Sequence, residues 1–435
     1  MKKTLTVFCL IFLCSPSLYA ITLENCISRA LENSDLIKAY ENQVQANILT
    51  YHKGQIDLLP QPAVTSESNR FWYGPESGFP RLHAYMQRWS TNVSWDLAKL
   101  MGYYPRLAHL EIEKSRLLAI IARNEVEKEV TNEYYRLYVL LKKKRDYGEV
   151  DQYFSDHIAD IEKQHSSGVD VTLDLGRARV QQKSLHISLS SINAEASNEL
   201  ISLNSLTKSN FKEADFDSMT EPILADVKTN QSVFDENNPT EETSNSWVEN
   251  AEANYAKEMP HLYQTKLNES DLKVAREAYR QNWFSFLPPV QFGEDHNIHS
   301  LDPATEKDRM FFSVSLSLLD FPDKIIEGRR LKHDYEYQQY IFNDSQRKLK
   351  VQINQLITNI ESIQTIYKNA VENLKSSEEN TKTAKIYYQQ GKIKETDLLN
   401  VFSEYLAAKE QVYEALYDYL SKKAELDFIL KGAEI

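Results

Sequence analysis

The sequence predicts a mainly α-helical chain with a small membrane β component, in which a strand pair and a long helix hairpin occur twice. Three observations predict it. The chain opens on an export leader, its landmarks recur in the same order in two halves, and two segments alternate strictly between apolar and polar residues.

Lys2 and Lys3 form a basic start, Thr6 to Leu13 a short apolar run, and Leu18-Tyr19-Ala20 a small-residue cleavage signal. Residues 1–20 therefore read as a signal peptide, with a mature start at Ile21. The alternative, a retained anchor helix, needs about 20 apolar residues, and the run is far shorter. Leu13 ahead of Cys14 argues against a lipoprotein site. Cys9 and Cys14 leave with the leader, so Cys26 has no partner and no internal disulfide is expected. Packing or assembly must hold the fold instead.

Removing Lys2 and Lys3 from the 50 basic residues leaves 48 against 63 acidic, a mature net charge of −15. That excludes nucleic acid as a partner, because such binding rests on neutralising phosphates. The basic run Lys142 to Arg145 reads as a solvated helix face. No later segment reaches the ~18 consecutive apolar residues of a spanning helix, so a membrane could be crossed only with strands. Only 11 glycines and 13 prolines occur in 435 residues, which favours long helices over a loop-rich β chain.

The duplication rests on three landmarks. Leu59-Pro60-Gln61-Pro62-Ala63-Val64 recurs as Leu287-Pro288-Pro289-Val290, and Asn92-Val93-Ser94-Trp95 as Ser313-Val314-Ser315-Leu316. Gly168, followed by Asp174-Leu175, recurs as Gly391, followed by Asp397-Leu398. Each half, 21–208 and 245–435, then reads alike. A helix (about 23–58; about 245–285) ends at Leu-Pro, since proline cannot continue it. Two strands follow (about 61–72 and 84–97; about 289–298 and 310–320), then a very long helix (about 103–165; about 323–389). A tip near 166–175 or 389–398 leads to a last helix (about 172–207; about 396–431). Helices of over 60 residues run roughly 90–100 Å at 1.5 Å per residue, which implies coiled-coil packing. Between the halves, 209–244 is an acidic, irregular connector with Pro222 and Pro239.

The strands carry the functional signal. Tyr85, Gln87, Trp89, Thr91, Val93, Trp95 and Leu97 share one face, mostly aromatic or apolar, and the intervening residues are almost wholly polar. Met310, Phe312, Val314, Leu316 and Leu318 likewise alternate with Phe311, Ser313, Ser315, Ser317 and Leu319. A barrel strand needs this period, with lipid on one side and water on the other. Tyr85 and Trp95 would then stand in the interfacial aromatic belts. The other possibility is a half-buried strand of a soluble sheet. The strands about 61–72 and 289–298 alternate poorly, so Glu67, Glu294 and Asp295 are expected to point inward or lie at the rim. Four strands cannot close a barrel and an open edge in lipid is forbidden, so copies must assemble; three would give twelve strands.

Over 21–432 the chain resembles the TolC-like outer-membrane efflux proteins, through the Leu-Pro helix ends at Pro60 and Pro288, the duplicated order, and the two tips. The tips read Ser167-Gly168-Val169-Asp170-Val171-Thr172-Leu173-Asp174-Leu175 and Gln390-Gly391-Lys392-Ile393-Lys394-Glu395-Thr396-Asp397-Leu398-Leu399. The resemblance implies a homotrimer with a 12-stranded β-barrel in outer-membrane lipid, continued by a periplasmic α-helical barrel. It implies a periplasmic adaptor (membrane fusion) protein and an inner-membrane RND, ABC or MFS pump as partners. It also implies a gate at the inner end, narrowed by acidic residues after the second tip: Asp397 matches, and Asn400 stands one turn on in place of an acid. The family's tyrosine before the tip and its aspartate of the first tip fall at Tyr388 and Asp174, while the basic latch residue of the second tip falls at Ile393, with Lys392 or Lys394 as its replacement. Of the adaptor-docking Val-Gly-Leu, the glycines Gly168 and Gly391 remain, followed by Val169 and Lys392. A simpler role for Asp397 is to cap the helix that follows.

No metalloprotease, phosphate-loop or nucleophile-elbow motif occurs, so an enzyme is not expected, and no metal or cofactor is implied. The reading from another class is a periplasmic coiled-coil adaptor or scaffold that never enters the membrane. It would need no strand pairs with aromatic and serine-rich faces.

Overall fold

A computed structural model describes residues 21–72, 83–96, 103–167, 171–216, 261–299, 307–315 and 320–431. The leader, Gly168 and Val169 of the first tip, most of the connector, and the barrel candidates Leu316 and Leu318 lie outside the described residues. The elements in chain order are α1 (Leu23–Asn33), α2 (Asp35–Ile56), β1 (Gln61–Trp72), β2 (His83–Asp96), α3 (Tyr103–Ser166) and α4 (Thr172–Thr207). After a short 3-10 turn at Glu213–Phe216 come α5 (Tyr263–Gln281), β3 (Pro289–His299), β4 (Lys307–Val314), α6 (Phe321–Gln389) and α7 (Glu395–Leu430).

The chain divides into two compact units. One comprises Met1–Asp35, Arg123–Ala256 and Ile353–Leu430, and the other Leu36–Ala122 and Lys257–Gln352, with Lys431–Ile435; α3 and α6 contribute to both.

The first unit is built from coiled-coil registers. Along α3, Leu140, Tyr147, Phe154 and Ile161 recur every seven residues and are all buried, which turns one stripe of the helix inward. α4 buries Ala178, Leu185, Ile192, Ala196 and Leu203, and α7 buries Leu398, Phe402, Leu406, Val412, Leu416 and Leu420. A fully buried leucine such as Leu137 contributes roughly 2 kcal/mol of transfer free energy. Polar groups within the packing are paired across α3 and α7. Lys143 lies 3.2 Å from Glu410, Lys409 lies 3.0 Å from Asp146, and the Tyr413 hydroxyl donates to Asp146.

Between α3 and α4, Glu133 shares a hydrogen bond with Glu199, which needs a proton on one of the two. Burial, then the bond and the charge of Glu199, push Glu133 up to about 7. An acid whose folded pKa is raised favours the fold while it keeps its proton. That stability is complete below the unfolded value near 4.3 and is lost as pH rises through about 7. Glu133→Gln keeps a neutral donor and is therefore expected to unfold at the same temperature as wild type at pH 4.5 and higher at pH 8. Discounted for partial exposure, the gain is on the order of 1 kcal/mol, about 1 °C for a chain of this length. Thermal unfolding in detergent measures it, and an equal difference at both pH values would refute the shared proton.

The second unit carries the sheet. All three pairings are antiparallel, in the order β1-β2-β3-β4. Directly opposed residues share a face. Val93 pairs with Pro62 and Phe292, and Phe292 with Phe312, so these four stand in one row. Val290 pairs with Val314, and Glu294 with Thr91 and Met310. Trp89, Phe292, Met310, Phe312 and Val314 are exposed and Val93 is half-buried, so the apolar face lies bare on the single chain. The opposite face is polar: Thr65 and Ser90 bond through their hydroxyls at 2.7 Å, Glu67 stands opposite Arg88, and Ser313 opposite Gln291. Tyr85 and Trp95 lie within β2.

Glu294 falls on the apolar face, because the unbroken pairing with Thr91 and Met310 leaves no bulge to turn it inward; of the two places expected for it, the inward one is excluded. β4 begins at Lys307, three residues before the expected start, because Lys307 still pairs with Asn297 on β3; it is described to Val314, and 316–319 lie outside the described residues.

Helices frame the strands as the Leu-Pro landmarks require. α2 stops at Ile56, and two turn hydrogen bonds carry the chain over Leu58 and Leu59 to Pro60. α5 tightens into a 3-10 turn, Asn282–Phe286, ahead of Leu287-Pro288. Lys114 of α3 and Asp271 of α5 form an ion pair at 2.7 Å, whose hydrogen bond raises the lysine pKa. Among the described residues no helix is long and apolar enough to cross a membrane.

Candidate functional site

The second tip is a designed stop and restart. α6 ends where Gly391 adopts φ +68°, a left-handed conformation that favours glycine. The Gly391 N–H donates to the Tyr388 carbonyl and the Lys392 N–H to the Tyr387 carbonyl, both at 2.9 Å, which satisfies the last carbonyls of the helix. α7 then begins, and the Asp397 carboxylate accepts the Lys394 N–H at 3.2 Å. This is the reach-back half of a capping box, with the acid at the third helical position. Asp397 is thus a helix cap in this chain, and its carboxylate is also exposed, as is Asn400 one turn on.

Behind the exposed acids lies a buried cluster. The Glu395 side chain is 0% exposed, and its two oxygens lie 2.9 and 3.0 Å from Nε2 of His157 on α3. The Tyr388 phenol of α6 stands near enough to the same carboxylate to feel its charge. Burial first, and then Glu395, push that phenol well above its ordinary range. Tyr388 also meets the His157 ring edge-on at 5.1 Å. Tyr153 stacks on His157 at 5.8 Å and on Phe402 at 4.5 Å, and burial with the charge of Glu395 pushes it up to about 12. The Lys385 ammonium lies 4.2 Å above the Tyr153 ring, its pKa lowered by burial. α3 and α7 are therefore joined at one carboxylate, with Tyr388 of α6 against the His157 ring.

The residues singled out from sequence are brought together only in part. Tyr388 and Asp397 flank the same turn, but the carboxylate that acts most on Tyr388 is Glu395, and Asp174 adds only its charge. Asp174 lies 3.7 Å from Arg177, one turn along its own helix. Lys392 is exposed and its ammonium lies 5.3 Å over the Tyr387 ring. Sequence reasoning missed Glu395 and His157. Glu395 looks like any first-turn acid, and its partner lies 238 residues away. A signal existed for His157, which continues the seven-residue register of Lys143 and Val150 into the buried face of α3. Among the described residues no group of three His, Cys, Asp or Glu side chains is placed to hold a metal.

No protein-family model matches the sequence, and no curated protein matches it. Solved structures do match. The outer membrane channel CmeC of Campylobacter jejuni superposes with TM-score 0.74 at 15% identity, over 94% of this chain and 85% of that one. The outer membrane protein VceC of Vibrio cholerae gives 0.74 at 13% identity, over 94% and 96%. The open state of the Neisseria gonorrhoeae MtrE outer membrane channel gives 0.70 at 14%, over 94% and 89%. At such identities the likeness establishes the fold, and the chain has the fold of the TolC-like outer-membrane channels that its duplicated halves resemble.

Proposed function

We propose that the chain is one subunit of a trimeric outer-membrane channel, a passive exit duct for substrates delivered by an inner-membrane pump and a periplasmic adaptor. The observation that carries this is the two-faced sheet. A row of half-buried Val93 and exposed Phe292 and Phe312 backs onto Thr65, Ser90, Gln291 and Ser313. That division suits lipid outside and water inside. Among the described residues β1 and β4 each have a single neighbour, so in lipid both edges must pair with other copies. The cargo is either small molecules in efflux or protein in type I secretion, with an RND, ABC or MFS pump choosing it. The tips at Gly168-Val169 and Gly391-Lys392 would meet the adaptor.

In this reading Asp397 from three copies rings the inner mouth, where like charges in a narrow opening favour cations. Purified protein in a planar bilayer is expected to give cation-selective currents, and Asp397→Asn to raise anion passage severalfold. Unchanged selectivity would remove Asp397 from the gate. Recovery of the protein wholly in the soluble periplasm, with no trimer-sized, heat-modifiable species in outer membranes, would end the channel reading.

A further inference from the structure

We propose that the ends of α5 and α6 next to the β3–β4 hairpin form a collar that seats at the lipid surface and takes the phosphate of an anionic phospholipid headgroup. This rests on the duct reading above and names a lipid partner for it. α5 leads into β3 and α6 follows β4, so both helix ends lie at the border between strands and helices. Trp283, in the 3-10 turn after α5, is 74% exposed. Ile325 and Ile326, in the first turns of α6, are 50% and 64% exposed. Large apolar side chains grouped in this way call for a cover other than water.

On both helices, cations follow one turn farther from the strands. Arg276, Arg280 and Trp283 are spaced i, i+4 and i+7, so they share one exposed face. Arg329 stands one turn past Ile325 on α6 and is exposed too. The first half repeats the order. Ile56 and Leu59, at the end of α2, are 65% and 60% exposed, and Lys53 is exposed one turn before Ile56. Apolar side chains toward the strands and cations a turn away match the profile of a bilayer surface. Indole lies among the headgroups there, and arginine reaches phosphate.

The collar is pinned in place. The Asn282 amide donates to the Lys324 carbonyl at 3.1 Å, Phe286 packs on Phe321 at 5.8 Å, and the Lys324 ammonium lies 5.9 Å over the Phe286 ring. A Cβ at Gly328 would lie 2.4 Å from Nδ2 of Asn282, so the turn sits close against α6. Its positive charge is available. Among the described residues Arg276 and Arg329 form no ion pair, and Arg280 reaches Glu277 only at 3.7 Å, a carboxylate it shares with Arg106. Glu327 is taken by Arg330 at 2.6 Å, and Asp323 lies in the first turn of α6, where the helix dipole favours an acid. A second copy of the chain is the competing cover. It does not suit α5, which α3 and α6 already flank. Lys114 of α3 meets Asp271 at 2.7 Å, Ser345 of α6 accepts from Asn268 at 2.9 Å, and Tyr335 of α6 stacks on Tyr279 at 6.5 Å.

The test uses full-length protein in phosphatidylcholine vesicles, probed with spin-labelled phosphatidylglycerol or spin-labelled phosphatidylcholine. At low ionic strength the wild type should hold the anionic probe about threefold more tightly than the zwitterionic one, and high salt should erase the difference. Arg276→Gln, Arg280→Gln and Arg329→Gln together should bring the ratio to about one. An equal ratio in wild type, which needs no variant to fold, overturns the proposal. So does a preference that survives the three substitutions. Inorganic phosphate at matched ionic strength should compete no better than chloride; stronger competition would make this a site for free phosphate and overturn the lipid assignment. A nitroxide at Trp283→Cys, in a Cys26→Ser background, locates the face. It should meet oxygen more often, and a water-soluble nickel chelate less often, than a nitroxide at Lys273→Cys, which is exposed farther along α5. Equal collision with nickel at both sites would place the turn in water, and shielding from both reagents would place a second copy on it; either result overturns the proposal. Bilayer conductance separates the two readings. A channel that conducts without a lipid preference sinks the collar alone, and a protein that prefers the anionic lipid but passes no ions sinks the duct alone.

Discussion

Val180→Glu combined with Ile187→Glu should leave the protein monomeric, with trimer reduced roughly tenfold or more on native gels and in sedimentation of detergent extracts. Leu173, Val180 and Ile187 of α4 are 66%, 68% and 73% exposed on the single chain, and Ile201 is 66% exposed. They recur at seven residues, or twice seven, so they form one stripe along the helix. The same helix buries Ala178, Leu185 and Ile192 on another face, five residues out of phase, which is about 140° around the axis. Gly176, Ser184 and Ser191 flank the exposed stripe, and such small residues let another backbone come close. A helix with two apolar stripes needs two packing partners, and its own chain supplies one. Each buried Val or Ile contributes about 1.5–3 kcal/mol. Two charges per copy would turn that gain into a desolvation cost at every interface between copies. Thermal unfolding of the single chain should change little, since both sites are exposed there. A variant that still forms wild-type amounts of trimer would show that this stripe faces something other than a second copy.

The architecture was legible because its signals are local. Leu-Pro at 59–60 and 287–288 ends a helix whatever surrounds it, and Gly391 takes a left-handed turn that favours glycine. Period-two alternation assigned Trp89, Val93, Phe312 and Val314 to one face before any pairing was known, and the observed register puts them there. What was not legible depends on neighbours distant in sequence. Glu294 sits on the apolar face because an unbroken register with β2 and β4 carries it there, and its side chain alone argues for the other side. Glu395 is buried because α3 arrives with His157, and no spacing within the tip announces that. The sequence allows Asp397 to be either a cap or a gate residue; the structure shows the cap, and its carboxylate is also exposed.

Gly293→Val should abolish accumulation of assembled protein in outer membranes, and Gly293→Ala should lower it severalfold. Gly293 lies inside β3, paired with Asn92 on one side and Phe311 on the other. Its need is for space: a Cβ there would lie 2.7 Å from Cζ of Phe311 and 2.7 Å from the carbonyl oxygen of Thr91. The Phe311 ring can swing away about its side-chain torsions. The Thr91 carbonyl belongs to the backbone of β2, and moving it disturbs the ladder that joins the two halves of the chain. Overpacking of this kind typically costs about 1–3 kcal/mol, and more where backbone must shift. The glycine also explains a large aromatic on the polar face: Phe311 lies across the gap that the missing side chain leaves, a pairing that protects weak glycine sites in sheets. Phe311→Ala added to Gly293→Ala removes the ring contact and leaves the carbonyl contact. The double variant should therefore recover less than half of the lost accumulation, as read by heat-modifiable trimer in membrane fractions. Full recovery would mean that the ring alone requires glycine. Wild-type accumulation of Gly293→Val would mean that β2 and β3 do not pair in this register.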